Sequence, residues 1–229
     1  LYLIEDAAQA IDARYLDRPL GSFGAMATFS FHETKNIICG EGGLLVVNDP
    51  ALRARAEIIW EKGTNRAAFY RGEIDKYGWV DVGSSFLPSE LTAAVLLAQL
   101  ESIQLLQDHR MALWERYHAQ LTPLAASGRF SVPTIPSGAS HNAHLFFIVC
   151  HSLEERTALQ RSLRQKGIET VFHYQSLHRS AYYHARHDGR PLPEADRYSD
   201  CLLRLPLFHS LTIAQADEVG EAVRDFYGR

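Results

Sequence analysis

The chain has 229 residues, 46% of them hydrophobic and 22% charged, with a formal net charge of −4 at pH 7. That balance suits one or two globular domains and gives no support for a nucleic-acid or membrane partner. No apolar run approaches the roughly 20 residues of a spanning helix, no signal peptide is visible, and the three scattered cysteines (Cys39, Cys150, Cys201) predict reduced cytoplasmic thiols, not a disulfide frame or a zinc site.

Residues 1–5 read as a short buried strand, a continuous apolar run ending at Glu5-Asp6. Residues 12–24 are polar and glycine-bearing, with a small hairpin expected at 17–21. Strands follow at 27–31 and 44–47. Asp49-Pro50 predicts a helix start, with aspartate as cap and proline in the first turn. Residues 62–82 form a long irregular stretch with Arg66, Tyr70, Arg71, Lys76, Tyr77 and Trp79, and structureless loops of that length are usually functional or disordered.

Ser89-Glu90 caps a helical region whose apolar side carries Leu91, Ala94, Val95, Ala98 and Leu100. Helix continues over 101–121, with Met111, Leu113, Trp114 and Tyr117 buried by pattern. Residues 128–143 are loop-rich. A strand at 144–150, an amphipathic helix at 153–166 stopped by Gly167, and a strand at 169–174 follow. Residues 179–197 form a charged, histidine-rich excursion. A strand then leads into Pro206, and Thr212 caps the final helix. The pattern predicts an α/β chain divided into 1–105 and 106–229, the second part a small α+β domain.

The densest chemistry is Thr28-Phe29-Ser30-Phe31-His32-Glu33-Thr34-Lys35-Asn36, running into Gly40-Glu41-Gly42-Gly43. Lys35 follows a strand end among a serine, a histidine and glycines, which makes it a candidate Schiff-base nucleophile. Asp6 closes an earlier apolar strand, and ligands in open α/β sheets sit outside the carboxyl ends of strands. A lysine and an acid so placed are the residue types that pyridoxal phosphate needs, one to bind it and one to keep its pyridinium nitrogen protonated. Ser30, His32 and Asp6 do not make a hydrolase triad, because no Gly-x-Ser-x-Gly elbow surrounds Ser30. His32 is either a cofactor-side residue or a core histidine satisfied by backbone. His184, His187 and Asp188 lie in a charged loop with no metal-ligand spacing.

Three motifs, Glu5-Asp6-Ala7-Ala8-Gln9, Phe29-Ser30-Phe31-His32 through Lys35-Asn36, and Gly40-Glu41-Gly42-Gly43, resemble in order and spacing the DegT/DnrJ/EryC1/StrS sugar aminotransferases. These are pyridoxal 5′-phosphate enzymes of fold type I. The resemblance implies that 1–105 is the later part of a large cofactor-binding domain with a mixed sheet, and that 106–229 is the small C-terminal domain. It implies a catalytic pair of Lys35 and Asp6, with Ser30 at the cofactor phosphate and Gln9 against the ring near its hydroxyl. Many members donate an asparagine across the dimer to the partner's cofactor phosphate. Here Gly83-Ser84-Ser85 occupies that segment, which gives the role to Ser85 or to Ser84. His173 and His178 are expected to face the sugar, and Arg66, with Arg71 and Lys76, the nucleotide diphosphate.

Trp60-Glu61-Lys62-Gly63-Thr64-Asn65-Arg66, Gly83-Ser84-Ser85-Phe86-Leu87 and Phe172-His173-Tyr174-Gln175-Ser176-Leu177-His178 look most like the dTDP-4-amino-4,6-dideoxygalactose transaminases within that family. The implied partners are a dTDP-linked keto sugar, L-glutamate and a second copy of the chain. The implied setting is cytoplasmic synthesis of lipopolysaccharide or enterobacterial common antigen. Against the family pattern the chain begins at Leu1 inside a strand, so the N-terminal third, with its phosphate-binding amides and stacking ring, is expected to be missing. Two other readings stand beside this one. Deoxysugar dehydratases of the same fold carry histidine in place of the lysine, which Lys35 opposes, and a truncated cofactor-binding remnant would have no activity.

Overall fold

The computed structural model describes residues 1–228 and divides into two units. The first comprises residues 1–104 and 137–142, the second residues 105–136 and the described residues from 143 onward.

The first unit is built on a mixed three-stranded sheet in the order β1-β4-β5. Strand β1 (Ile4–Asp6) runs parallel to β4 (Met26–Ser30), with Ile4 opposite Met26 and Asp6 opposite Thr28. Strand β5 (Gly43–Val47) returns antiparallel, placing Gly43 opposite Ser30. Between β1 and β4 the chain makes a hairpin of β2 (Arg14–Tyr15) and β3 (Arg18–Pro19), earlier than the 17–21 expected. Its turn residues Leu16 and Asp17 both have positive φ, 48° and 59°, as a primed hairpin turn requires. Helix α1 (Pro50–Trp60) starts as read: the Asp49 carboxylate accepts from the Ala51 amide.

Two expectations of burial fail here. Ile4 is 57% exposed, because β1 pairs only with β4 and no described residue covers its apolar side. Helix α3 (Glu90–Glu101), capped by Ser89, buries none of its residues, and Leu91 is 82% exposed.

The stretch before α3 is more ordered than its sequence suggests. It contains a short helix, α2 (Arg66–Tyr70), and closes on itself through two glycines. A Cβ on Gly63 (φ 77°) would fall 2.0 Å from the Asp81 carbonyl oxygen, and one on Gly83 2.1 Å from the Gly63 nitrogen. Only glycine permits that approach. It lets the Val80 amide reach the Gly63 carbonyl and the Lys62 amide the Ser84 carbonyl.

The second unit carries a well-filled core. Its antiparallel sheet has the order β6-β8-β7, from β6 (Phe146–Val149), β7 (Val171–Phe172) and β8 (Leu202–Leu205). Its helices are α4 (Ile103–Ala126), α5 (Leu153–Gln165), α6 (Pro193–Cys201) and α7 (Ile213–Tyr227). Leu113, Tyr117, Phe146, Leu159, Leu203 and Val223 are fully buried together. Thr212 and Gln215 form a reciprocal capping box at the start of α7. Cys39, Cys150 and Cys201 are free thiols. Among the described residues no helix is long and apolar enough to cross a membrane.

Candidate active site

Asp6 and Ser30 stand at the carboxyl ends of neighbouring parallel strands, the position where an open α/β sheet presents ligand-binding groups. Both places follow from apolar runs that stop at a polar residue. Past Asp6 the ladder adds one more bond, from the Ala7 amide to the Thr28 carbonyl (2.9 Å). The Asp6 carboxylate is exposed and accepts the Ala8 amide at 3.1 Å.

Beyond Ser30 the chain does not leave the sheet at once. Phe31 donates to the Gly42 carbonyl (2.8 Å) and Glu33 to the Gly40 carbonyl (2.9 Å). The loop between β4 and β5 is therefore laced along both sides. At its tip the Lys35 amide closes a turn on the His32 carbonyl (2.9 Å), and the side chain is half-buried. His32 is half-buried too. Its Nδ1 accepts the Thr34 amide (3.2 Å), and Nε2 lies 3.6 Å from Glu41. It serves that turn and is not a core residue.

A carboxylate and a hydroxyl thus stand at the carboxyl ends of neighbouring strands, with a lysine in the loop that follows the second. Ser30 has a glycine, Gly43, as its register partner, so no side chain stands beside its hydroxyl on β5. By residue type this set suits a pyridine ring carrying a phosphate and an aldehyde, which asks for an amine, an acid and a hydroxyl donor. Gln9 lies exposed three residues past Asp6. An apolar cleft of about 650 Å³, lined by Leu44, Leu45, Leu52, Ile59, Trp60 and Phe86, lies between β5 and α1. It includes none of Asp6, Ser30 or Lys35.

The remaining expected residues fall into two groups. In the first unit, Ser85 is exposed and its backbone bridges that of Glu61. Arg66 opens α2 with its guanidinium on the Tyr70 hydroxyl (2.9 Å) and 3.9 Å from Glu61. Arg71 is taken up by Glu57 and Glu73, both at 2.7 Å, so its charge is already matched. In the second unit, His178 pairs with Asp196 at 3.0 Å. His173 is half-buried, and its Nδ1 is enclosed without a hydrogen-bond partner. Burial, with Arg204 nearby, holds the His173 imidazole below its ordinary value.

Two polar residues with structural work at this edge had no signal in the sequence. Glu5 reads as half of a charged pair, yet its carboxylate accepts the amides of Gly21, Phe23 and Gly24. Asn142 lies in a loop far along the chain, yet it bonds to the carbonyls of Gln9 and Ile11, at separations of 133 and 131 residues. Contacts that distant leave no local pattern.

The sequence profile of the DegT/DnrJ/EryC1/StrS aminotransferase family matches residues 1–224. Among solved structures, DesV from S. venezuelae is 32% identical, with a TM-score of 0.87, covering 100% of this chain and 58% of that one. A DegT/DnrJ/EryC1/StrS aminotransferase from Brucella abortus is 28% identical (TM-score 0.82, 100% and 58%). The PLP form of Spr1654 from Streptococcus pneumoniae shares the fold at 22% identity (TM-score 0.84, 99% and 58%). The chain therefore spans somewhat under three fifths of these structures, with the architecture of fold type I pyridoxal phosphate enzymes. On the match over nearly its whole length, the chain belongs to the DegT/DnrJ/EryC1/StrS aminotransferase family.

Proposed function

We propose that the protein is a pyridoxal 5′-phosphate-dependent aminotransferase that moves an amino group from L-glutamate to a nucleotide-linked keto sugar. The substrate on this reading is dTDP-4-keto-6-deoxy-D-glucose, and the product dTDP-4-amino-4,6-dideoxy-D-galactose. The observation that supports it best is the placing of Asp6 and Ser30 at the carboxyl ends of neighbouring parallel strands, with Lys35 in the loop that follows. When bound, the cofactor supplies an electron-accepting ring. Asp6 holds the proton on the ring nitrogen. Lys35 Nζ would anchor the cofactor, and as a free amine it would be the base that takes the proton from the donor's α-carbon.

Ser30 donates to the phosphate and Gln9 flanks the ring. Ser85 completes the phosphate site of a second copy in a twofold homodimer, and symmetric dimers are the commonest oligomers. Arg66 binds the diphosphate through charge-assisted hydrogen bonds, and His173 and His178 face the sugar. The setting is the cytoplasm.

Borohydride reduction of the full-length protein with pyridoxal phosphate, followed by peptide mapping, should place the label on Lys35. Label on another lysine would overturn the assignment. Offering the 3-keto and 4-keto dTDP-6-deoxy sugars side by side tests regiochemistry, and preferential amination at C3 would remove the substrate proposed here.

A further inference from the structure

We infer that Asn142 and Asn36 are positioning residues: together they form a buried staple that sets the Lys35 loop against the loop bearing Gln9. The catalytic meaning of this rests on the function proposed above. The staple itself does not.

Residues 137–142 belong to the first unit although the chain on either side of them belongs to the second. They lie along the small hairpin as an added edge. The Leu16 amide donates to the Gly138 carbonyl (2.7 Å), the Ser140 amide to the Arg14 carbonyl (2.9 Å), and the Arg14 amide to the Ser140 hydroxyl (2.9 Å). This edge ends at Asn142, which is 5% exposed.

The Asn142 Nδ2 donates to the carbonyls of both Gln9 and Ile11, each at 2.8 Å. From the other side, the Nδ2 of Asn36, itself 7% exposed, donates to the Asn142 carbonyl at 2.6 Å. Asn36 is the residue next to Lys35. Two parallel hydrogen bonds from the Asn142 side chain, in series with the one from Asn36, thus connect the backbone after β1 with the loop that carries the lysine. Neither loop has a strand ladder at these positions. The Asn36 bond is buried and the two from Asn142 are part-buried, and losing such bonds leaves carbonyls short of a partner. An amide is the side chain of this size that supplies two hydrogens to two carbonyls; a carboxylate of the same shape would repel both.

The test uses Asn142→Asp and Asn36→Ala in the full-length protein. Hydrogen–deuterium exchange on the cofactor-free protein comes first. Each variant should speed exchange over residues 7–12 and over 31–39, including the stretch to which the substituted residue does not belong. Pyridoxal phosphate should dissociate about tenfold more readily, the effect of losing one buried hydrogen bond. The pH midpoint of the lysine-bound cofactor's visible band should move, since it reports how Lys35 is held.

Because the bonds act in series, the double variant should be little worse than the poorer single one, whereas independent effects would multiply. If Asn142→Asp does not fold, Asn36→Ala decides alone. Exchange raised only in the substituted residue's own loop, or an unchanged affinity and pH midpoint in both variants, overturns the inference. Failure of the parent to hold cofactor on Lys35 would sink the proposed function instead, and the exchange measurement would still decide the staple.

Discussion

Replacing Glu5 by glutamine probes how the chain is delivered into β4 and so to Ser30. The Glu5 carboxylate accepts the amides of Gly21 (2.8 Å), Phe23 (2.6 Å) and Gly24 (2.7 Å). Burial pushes this carboxyl up. The bonds from Gly24, Gly21 and Phe23, with Arg18 nearby, outweigh that and hold it below its ordinary value. A hydrogen bond to a charged group contributes about 1.5–3 kcal/mol. The Phe23 contact is exposed and is set aside for solvent screening. The Gly21 and Gly24 contacts are part-buried, and at the low end of the range they give about 3 kcal/mol together. Glutamine keeps one acceptor oxygen and turns a donor on the other amide, so Glu5→Gln should cost about 1.5 kcal/mol or somewhat more. Native-state hydrogen exchange of the β1 and β4 amides measures this for the first unit alone. The sign with pH follows from the lowered value. The carboxylate's contribution is fully present above the unfolded carboxyl range and is lost as pH falls through the lower native one. The gap between parent and variant should therefore be full at neutral pH and shrink in acid. A gap below about 0.5 kcal/mol at pH 7 would refute the reasoning, as would a gap that persists unchanged into acid.

Lys35→Ala should abolish turnover and cofactor labelling while leaving the melting temperature nearly unchanged, because a half-buried turn lysine contributes little packing; circular dichroism melts and an activity assay check both. Arg66→Ala should raise the Michaelis constant for the sugar nucleotide more than that for glutamate, and equal effects in steady-state kinetics would remove Arg66 from the nucleotide site. Leu203→Ala, at a fully buried position on β8, should destabilise the second unit by about 2–5 kcal/mol, read by exchange of the β6 and β8 amides.

The strand ends that carry Asp6 and Ser30 were legible because their chemistry is compressed. Asp6, Ser30 and Lys35 lie within one short reach of chain, each just where an apolar run meets polar residues, and periodicity alone finds such strand ends. Helix starts at Asp49, Ser89 and Thr212 were equally readable, since a capping side chain acts on amides two or three residues away. Burial was not. An apolar run predicts a strand, but whether β1 or α3 is covered depends on which elements pack against it. The hairpin was displaced because its turn uses Leu16 and Asp17, neither of them glycine, at positive φ. Gly63 and Gly83 were visible as glycines, yet their mutual approach across twenty residues was not. Asn142 was invisible for the same reason, at a greater distance.

A common principle of construction emerges around the site. The buried apolar residues of the first unit are few and mostly small, among them Ala7, Ala13, Ala27, Phe31 and Ile37. Side-chain packing of that kind does not fix a loop to within a fraction of an ångström, and catalytic groups need such precision. Directed hydrogen bonds from side chains to backbone supply it. The 21–24 turn is gripped from both sides: Glu5 accepts its amides, and the Asn48 Nδ2 donates to the carbonyls of Gly21 and Gly24 at 3.0 and 2.9 Å. The loop at Gln9 is gripped by the Asn142 side chain in the same manner, and the Asn36 side chain ties its own loop to the Asn142 carbonyl. Each grip lies within a few residues of Asp6, Ser30 or Lys35. Acid and amide side chains are costly to bury unless every partner is in place, so such grips tolerate little displacement. The groups proposed to bind the cofactor are accordingly held by the residues that would lose most if the backbone moved.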